Sequence, residues 1–440
     1  MTWLTLAVVF FFLLLGCRIG GVGLGMMGGL GTAVLVFIFH YKPTSAPIDV
    51  MLMILAVICA AGAMEACGGL DYLVRVAERW LRSNPKRITF YAPIVTYLFT
   101  FFAGTGHVAY SVLPVIAEVA RETKVRPERP LSVAVIASQF AITGGPISAA
   151  MMAFLSMTED KGMTLLKLMA ITAPATFLAC MVAAFVMNFY GKELEDDPEY
   201  QRRLAAGLVP PITPHEERDE VKADPKALWS VWIFLAAAVI VVILGAVPSL
   251  RPSWTVDGST STLVMSDAIQ MVMLAAAAAI VLICKPELGN IVKGQVMRAG
   301  VTAIIAIFGI AWMGDTWFNN NQETLTQALG GLVHVAPWLF AFALFALSGL
   351  VNSQAATIRA LLPIGLALGI PAPMMAAMFP AVNGYWLTPD YGPIIAAVQF
   401  DQTGTTHIGK WVFNHSFMLP GTIAIILSVV FGFVMQAIVF

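Results

Sequence analysis

Gly104-Thr105-Gly106-His107, followed by Leu113-Pro114 and then by Gly145-Pro146-Ile147-Ser148-Ala149-Ala150, has a second copy far along the chain. The copy reads Asn352-Ser353-Gln354, Leu362-Pro363 and Gly392-Pro393-Ile394-Ile395-Ala396-Ala397. In each, a small polar cluster interrupts an apolar run, and a Gly-Pro-Ile-x-Ala-Ala closes the unit about thirty residues after the Leu-Pro. Paired interruptions in corresponding halves of a membrane chain point to the binding site of a secondary transporter.

The 440 residues are 59% hydrophobic and 12% charged, about half the charge of a soluble domain. That composition specifies an all-α polytopic membrane protein. A net charge of -1, with basic residues confined to short loops, leaves no surface for nucleic acid. Cys17, Cys59, Cys67, Cys180 and Cys284 show no CxxC or Cys/His spacing, so no metal site and no disulfide framework is expected. His107, His334, His407 and His415 form no metal-spaced pair, and no nucleophile-base motif is present, which argues against an enzyme and against a cofactor. The run 2–16 lacks a basic n-region and a cleavage motif and reads as a first span.

Runs able to cross roughly 30 Å of hydrocarbon as helix fall at 2–16, 19–39, 48–70, 131–156, 163–190, 228–247, 263–284, 297–317, 374–400 and 412–440. Two more apolar stretches, 88–120 and 331–369, are split by the polar clusters and read as re-entrant hairpins. Charge fixes their sides, because Lys and Arg in short loops stay cytoplasmic. The loop 71–87 carries Arg75, Arg79, Arg82, Lys86 and Arg87, and the loop 121–129 carries Arg121, Lys124, Arg126 and Arg129, so the first hairpin enters from the cytoplasm. The loops 318–330 and 369–373 have no Lys or Arg, so the second hairpin enters from outside. The acidic, proline-bearing stretch 191–227 reads as a cytoplasmic linker.

The halves 1–190 and 228–440 then have one plan: scaffold spans (2–70 and 228–317), hairpin, broken span (131–156 and 374–400) and final span (163–190 and 412–440). Five crossings per half is an odd number, so the repeats are inverted, with both termini on the outer side.

Backbone unwound at bilayer depth must face protein or a wet cavity, because lipid satisfies neither N–H nor C=O. The helix after each cluster aims its N-terminal N–H groups at that cavity, which favours an anion. Thr105, Gly106 and His107 at one tip, and Asn352, Ser353 and Gln354 at the other, are therefore candidate ligands for two ends of a dianion. The glycines also suit tight helix packing alone. Thr143 and Ser148 in the first broken span, with Thr388 and Asp390 in the second, extend the set. The same spans carry Ser138, Gln139, Gly144, Gly145, Asn383 and Tyr391.

Arg359 is the only Lys or Arg between Arg298 and Lys410. In an apolar helix a cation is expensive unless paired or facing water. It grips a substrate carboxylate through two parallel hydrogen bonds, pairs with Asp390, or snorkels to the outer interface. Its aligned position in the first copy is Tyr110. Asp390 suits a proton carrier, a sodium ligand or the partner of Arg359. Glu118, near a basic loop, reads as interfacial, and Asp315, beside Trp312 and Trp317, as a residue of the outer boundary where aromatics gather. The glycine run 16–31 follows no strand, which rejects a nucleotide fingerprint; it reads as close helix packing in a scaffold or dimer-forming region.

Phe102-Ala103-Gly104-Thr105-Gly106-His107, Arg126-Pro127-Glu128-Arg129-Pro130, Ala311-Trp312-Met313-Gly314-Asp315-Thr316, Ser353-Gln354-Ala355-Ala356-Thr357, Asp401-Gln402-Thr403-Gly404-Thr405-Thr406 and Asn414-His415-Ser416 resemble the anaerobic C4-dicarboxylate transporter (Dcu) family. The resemblance runs nearly end to end. It implies exchange of fumarate, malate or aspartate for succinate across a bacterial inner membrane, with both termini periplasmic. It also implies that the position of Arg359 can carry Lys, a retained positive charge. Similar folds of the ion-transporter superfamily suggest alternating access by an elevator-like unit of hairpins and broken spans moving against a scaffold. The expected partners are the C4-dicarboxylate, membrane lipid and a second copy in a homodimer. The rival readings are an anion channel or uniporter, and a dicarboxylate-binding membrane partner of a sensor kinase.

Overall fold

The structure, a computed structural model, describes the chain apart from residues 20–21, 107–108, 210–223, 257–258, 352, 388–390 and 410–413. Apolar runs become helix wherever no Gly, Pro or polar cluster interrupts them. The first half contains α1 (Thr2–Ile19), α2 (Gly23–Phe37), α3 (Ile48–Ala66), α4 (Gly69–Ser83), α5 (Ile88–Ala103), α6 (Ala109–Glu122), α7 (Glu128–Gly144), α8 (Ala149–Leu155) and α9 (Leu165–Met187). After the short α10 (Pro198–Ala205), the second half contains α11 (Pro225–Ala246), the strands β1 (Ser253–Val256) and β2 (Ser259–Thr262), α12 (Met265–Cys284), α13 (Leu288–Lys293) and α14 (Gln295–Val335). It ends with α15 (Phe340–Val351), α16 (Gln354–Ala367), α17 (Ala372–Met378), α18 (Gly392–Phe400) and α19 (Met418–Val439). By length and composition, six of the described helices suit a membrane crossing, or seven if the bent pair α3–α4 counts as one.

The packing of the two halves is reciprocal. The second span of each half packs on the third of the other, α2 on α14 and α12 on α3. The second hairpin arm of each packs on the short helix closing the other's broken span, α6 on α18 and α16 on α8. The final spans, α9 and α19, pack on each other. Two bodies result: α1–α4 group with α11–α14, and α5–α9 group with α15–α19, and they meet chiefly along α14 and α16. Helices α9 and α19 thus pack in the same body as α5, α7 and α17.

Several sequence expectations need correction. The stretch 71–87 is not a loop: α4 fills most of it, bent 72° from α3 at Gly68, whose φ of 76° closes the turn. Its charges occupy one side and the buried Ala77 and Leu81 the other, the pattern of a helix lying along an interface. Residues 318–330 are helical too, because α14 runs on through them to Val335, and the first arm of the second hairpin begins only at Phe340. Polar residues read as loop, yet within this helix the Asn321 side-chain amide is satisfied by the Trp317 carbonyl one turn back, at 2.7 Å. The break in 374–400 is far wider than a Gly-Pro kink: two 3-10 turns, Phe379–Val382 and Gly384–Trp386, separate α17 from α18. The final helix begins at Met418 rather than near 412.

The glycine run serves contact within the chain. A Cβ on Gly25 would lie 1.9 Å from the Ile305 carbonyl oxygen, and one on Gly309 would lie 1.7 Å from the Gly25 oxygen. Only glycines allow α2 and α14 to cross at that separation. The linker is partly folded: Lys124 pairs with Glu195 at 2.6 Å, Arg126 with Asp197, and Arg203 donates to the Gln402 carbonyl at 3.3 Å.

Candidate functional site

Helix α5 ends at Gly104, in the left-handed region at φ 70°. The first tip then lies flat on the broken span behind it. A Cβ on Gly104 would be 2.9 Å from the Ile147 carbonyl oxygen, and one on Gly106 would be 2.1 Å from Gln139 Nε2. Pro146 cannot continue α7, because its ring restricts Gly145 and it lacks an N–H. Ser148 restarts the helix: its hydroxyl accepts from the Met151 N–H at 3.1 Å and donates to the Ile142 carbonyl. In the second half Ser353 caps α16 by accepting from the Ala356 N–H at 3.3 Å.

Between the two tips lies a set of side-chain amides and hydroxyls drawn from both halves. Gln354 Nε2 donates to Gln139 Oε1 and to Asn383 Oδ1, each at 3.3 Å. Asn383 Nδ2 donates to Thr143 Oγ1 at 3.1 Å and to the Pro380 carbonyl at 2.9 Å. The Tyr391 hydroxyl donates to Gln139 Oε1 at 2.9 Å. Gln139, Thr143 and Asn383 are wholly buried. A buried polar group left without a partner costs about 1–3 kcal/mol, so this network holds the hairpin tips against both broken spans. Ser348 reinforces it, accepting from the Gly384 N–H at 2.9 Å.

Arg359 lies elsewhere on α16. Five residues beyond Gln354 is roughly 7.5 Å along the axis and about 140° around it, so the guanidinium points away from the amides. Its side of the helix lies toward α14, where a Cβ on Gly314 would approach the Ala360 Cα to 3.7 Å. Arg359 is 8% exposed, and its Nε has no hydrogen-bond partner. The carboxylates whose charge acts on it are Asp315 first, then Asp49. Asp315, read from the sequence as a boundary residue, is half-buried opposite Arg359. The neighbouring tryptophans are used structurally: Trp312 Nε1 donates to the Thr44 carbonyl at 2.7 Å, and Trp317 Nε1 to Thr5 Oγ1 at 3.0 Å.

Of the residues singled out from the sequence, Gly106, Thr143 and Gln354 meet in the amide network, while Ser148 and Ser353 are helix caps. Thr105 and Ser353 stay half-exposed. His107, Asn352, Thr388 and Asp390 lie outside the described residues. Gln139, Asn383 and Tyr391 are the members that the candidate set lacked. Their signal was present, polar groups inside apolar spans, but their pairing across the halves is tertiary. Tyr110, the counterpart of Arg359, packs on the second broken span instead: a Cβ on Gly392 would be 2.1 Å from its hydroxyl.

The halves differ behind their tips. In the first, the Tyr97 hydroxyl on α5 lies 2.8 Å from Thr176 Oγ1 and 3.1 Å from the Ala173 carbonyl oxygen, tying the hairpin to α9. In the second, α15 and α19 are separated by an apolar cavity of about 770 Å³ lined by Phe345, Trp386 and Ile425 among others.

The remaining motifs gather at one end of the molecule. Glu128, wholly buried, accepts from Arg126 Nε at 2.6 Å and from the Ser416 hydroxyl at 2.6 Å. Arg129 donates to the carbonyls of Tyr190 and Gly191 at 2.7 and 3.1 Å. Asp401 accepts from the Thr406 N–H at 2.6 Å and the Thr405 hydroxyl at 2.9 Å, ordering the connection between α18 and α19.

All of residues 1–440 match the family described as anaerobic C4-dicarboxylate membrane transporter. The C4-dicarboxylate transporter DcuA of Escherichia coli is 45% identical over 431 residues, 98% of each chain. The anaerobic C4-dicarboxylate transporter DcuB of the same species is 40% identical over 447 residues, again 98% of each. Among solved structures, the YdaH transporter of Alcanivorax borkumensis superposes with a TM-score of 0.55 over 98% of both chains at 14% identity, a likeness of fold. The chain belongs to the anaerobic C4-dicarboxylate membrane transporter family, whose members are transporters and not enzymes.

Proposed function

We propose that this protein exchanges C4-dicarboxylates, fumarate, malate or aspartate against succinate, across a bacterial inner membrane by alternating access. The observation that carries the reading is Arg359, a buried guanidinium with an unpartnered Nε on the face of α16 that meets the other body. One substrate carboxylate pairs with Arg359. The other lies at the N-terminal turn of α16, near Ser353, where free N–H groups and the helix dipole favour an anion. Thr105 of the first tip is a further candidate ligand, and His107, Asn352, Thr388 and Asp390 are candidates from their sequence positions alone. The amide network of Gln139, Gln354 and Asn383 does not bind substrate on this reading; it fixes the tips.

The halves are inverted repeats, a reading supported by the reciprocal packing of α2 on α14 and α3 on α12, and of α6 on α18 and α8 on α16. The α5–α9/α15–α19 body moves in an elevator-like manner against the other, with α4 and the tail of α14 as interfacial arms between them. The apolar space behind α15 gives the second hairpin room to open. Both termini are periplasmic, which the basic residues near α4, α6 and α10 support.

Counterflow in proteoliposomes tests the function. Labelled fumarate inside should leave only when an unlabelled C4 acid is supplied outside. Flux that follows voltage without counter-substrate would indicate a channel, and absence of any flux a binding protein serving a sensor.

A further inference from the structure

We propose that Asp315 is the counter-ion that locks the empty carrier: its carboxylate on α14 attracts the Arg359 guanidinium on α16, and a bound dicarboxylate reverses that attraction. The inference rests on Arg359 as the substrate anchor, and it names what enforces exchange rather than leak. The two residues belong to different bodies, and α14 and α16 form the main seam between these. At that seam Gly314 and Ala360 nearly touch, and their chain neighbours Asp315 and Arg359 flank that contact. They form no direct ion pair; their opposite charges act on each other through space.

The charges make the lock substrate-dependent. In the empty state one positive charge faces one negative charge across a poorly hydrated seam, where attraction is stronger than in water. A C4-dicarboxylate brings two negative charges. The loaded site then carries a net negative charge opposite Asp315, and attraction becomes repulsion. Sliding of one body against the other is opposed when the site is empty and released when it is filled. Asp49 also acts on Arg359, but it is exposed in the first turn of α3, at the rim of a cavity of about 480 Å³. Water and salt screen it, so it is a weaker anchor. Among the described residues, that leaves Asp315 as the acid suited to hold Arg359 at the seam.

The test is Asp315→Asn in proteoliposomes loaded with labelled fumarate. Efflux into substrate-free buffer should rise roughly ten-fold relative to exchange, within the range usual for coupling between sites. Asp315→Glu should keep that leak low. An unchanged ratio of leak to exchange, in protein that elutes like the parent, overturns the lock. A second measurement avoids position 315 altogether. A Cβ on Gly314 lies 4.0 Å from that of Ala360, a separation suited to a disulfide. Cross-linking of a Gly314→Cys/Ala360→Cys protein should therefore slow when fumarate is added, and a rate indifferent to fumarate overturns the proposal. Absence of exchange in the parent protein would remove the reading of Arg359 and the lock with it, whereas normal exchange with an unchanged ratio removes the lock alone.

Discussion

Gln354, in the second polar cluster, donates to Gln139 of the first broken span across 3.3 Å, joining residues 215 positions apart. One amide therefore spans the two halves at the level of both tips, and Gln139 Oε1 receives the Tyr391 hydroxyl as well. The hydrogen bonds run side chain to side chain, so each member depends on the rotamer of the next.

Replacing Gln354 with Leu leaves Asn383 Oδ1 without its donor and Gln139 Oε1 with the Tyr391 hydroxyl alone. At about 1–3 kcal/mol for each buried group left unsatisfied, uptake of labelled fumarate should fall by more than roughly ten-fold. The same loss is expected for Gln139→Leu. The double variant should be clearly less damaging than the sum of the two, because residues in one network couple by roughly 0.5–3 kcal/mol; additive losses in a double-mutant cycle would speak against a shared network.

The crossing of α2 and α14 makes a sharper structural forecast. Gly309→Ala puts a methyl into the Gly25 carbonyl, and the helices must separate, with a stability loss beyond about 3 kcal/mol. Gly29→Ala, where nothing lies within 4 Å, should be neutral or stabilise by up to about 1 kcal/mol. Thermal unfolding in detergent distinguishes the two, and equal melting temperatures would refute the close crossing.

Tyr97→Phe removes the hydroxyl that ties α5 to Thr176 and Ala173. The expected loss is about 1 kcal/mol, read as a lower melting temperature with the exchange stoichiometry unchanged. A melting temperature equal to the parent's would mean that the tie contributes nothing.

How much of this was legible in the sequence differs by element. The breaks at Gly104 and near Asn352 stood out because Gly and polar residues cannot sit unpaired in hydrocarbon, and helices stop there as expected. The helical character of 71–83 and 318–330 did not stand out, because charges and amides look the same in a loop and on the wet side of an interfacial helix. Only the burial of Ala77 and Leu81 separates the two cases. Gln139 and Asn383 were visible as polar residues in apolar spans, but nothing in their spacing gives the bond through Gln354. Arg359 was conspicuous alone; its relation to Asp315 depends on how two bodies pack.

His415 supplies a pH dependence. Burial of the imidazole holds its pKa below the usual value near 6.5, and its Nδ1 accepts from the Phe417 N–H at 3.2 Å, a bond that only the neutral ring can make. The unfolded chain binds the proton more readily, so stability is fully present above about pH 6.5 and declines as pH falls below it. Thermal melts from pH 7.5 to 5 should show a drop that His415→Gln flattens; a parallel drop in both proteins would assign the effect to other groups.

Arg359→Gln in reconstituted counterflow tests the central claim most directly. The side chain is two bonds shorter and keeps hydrogen-bonding capacity, but it lacks the charge that a carboxylate requires. Exchange of labelled fumarate for succinate should fall at least roughly hundred-fold, the scale of a buried charge pair broken at one partner, with Arg359→Lys retaining part of the activity and both variants eluting like the parent. Exchange at the parent's rate in Arg359→Gln would contradict the assignment of Arg359 to the substrate carboxylate.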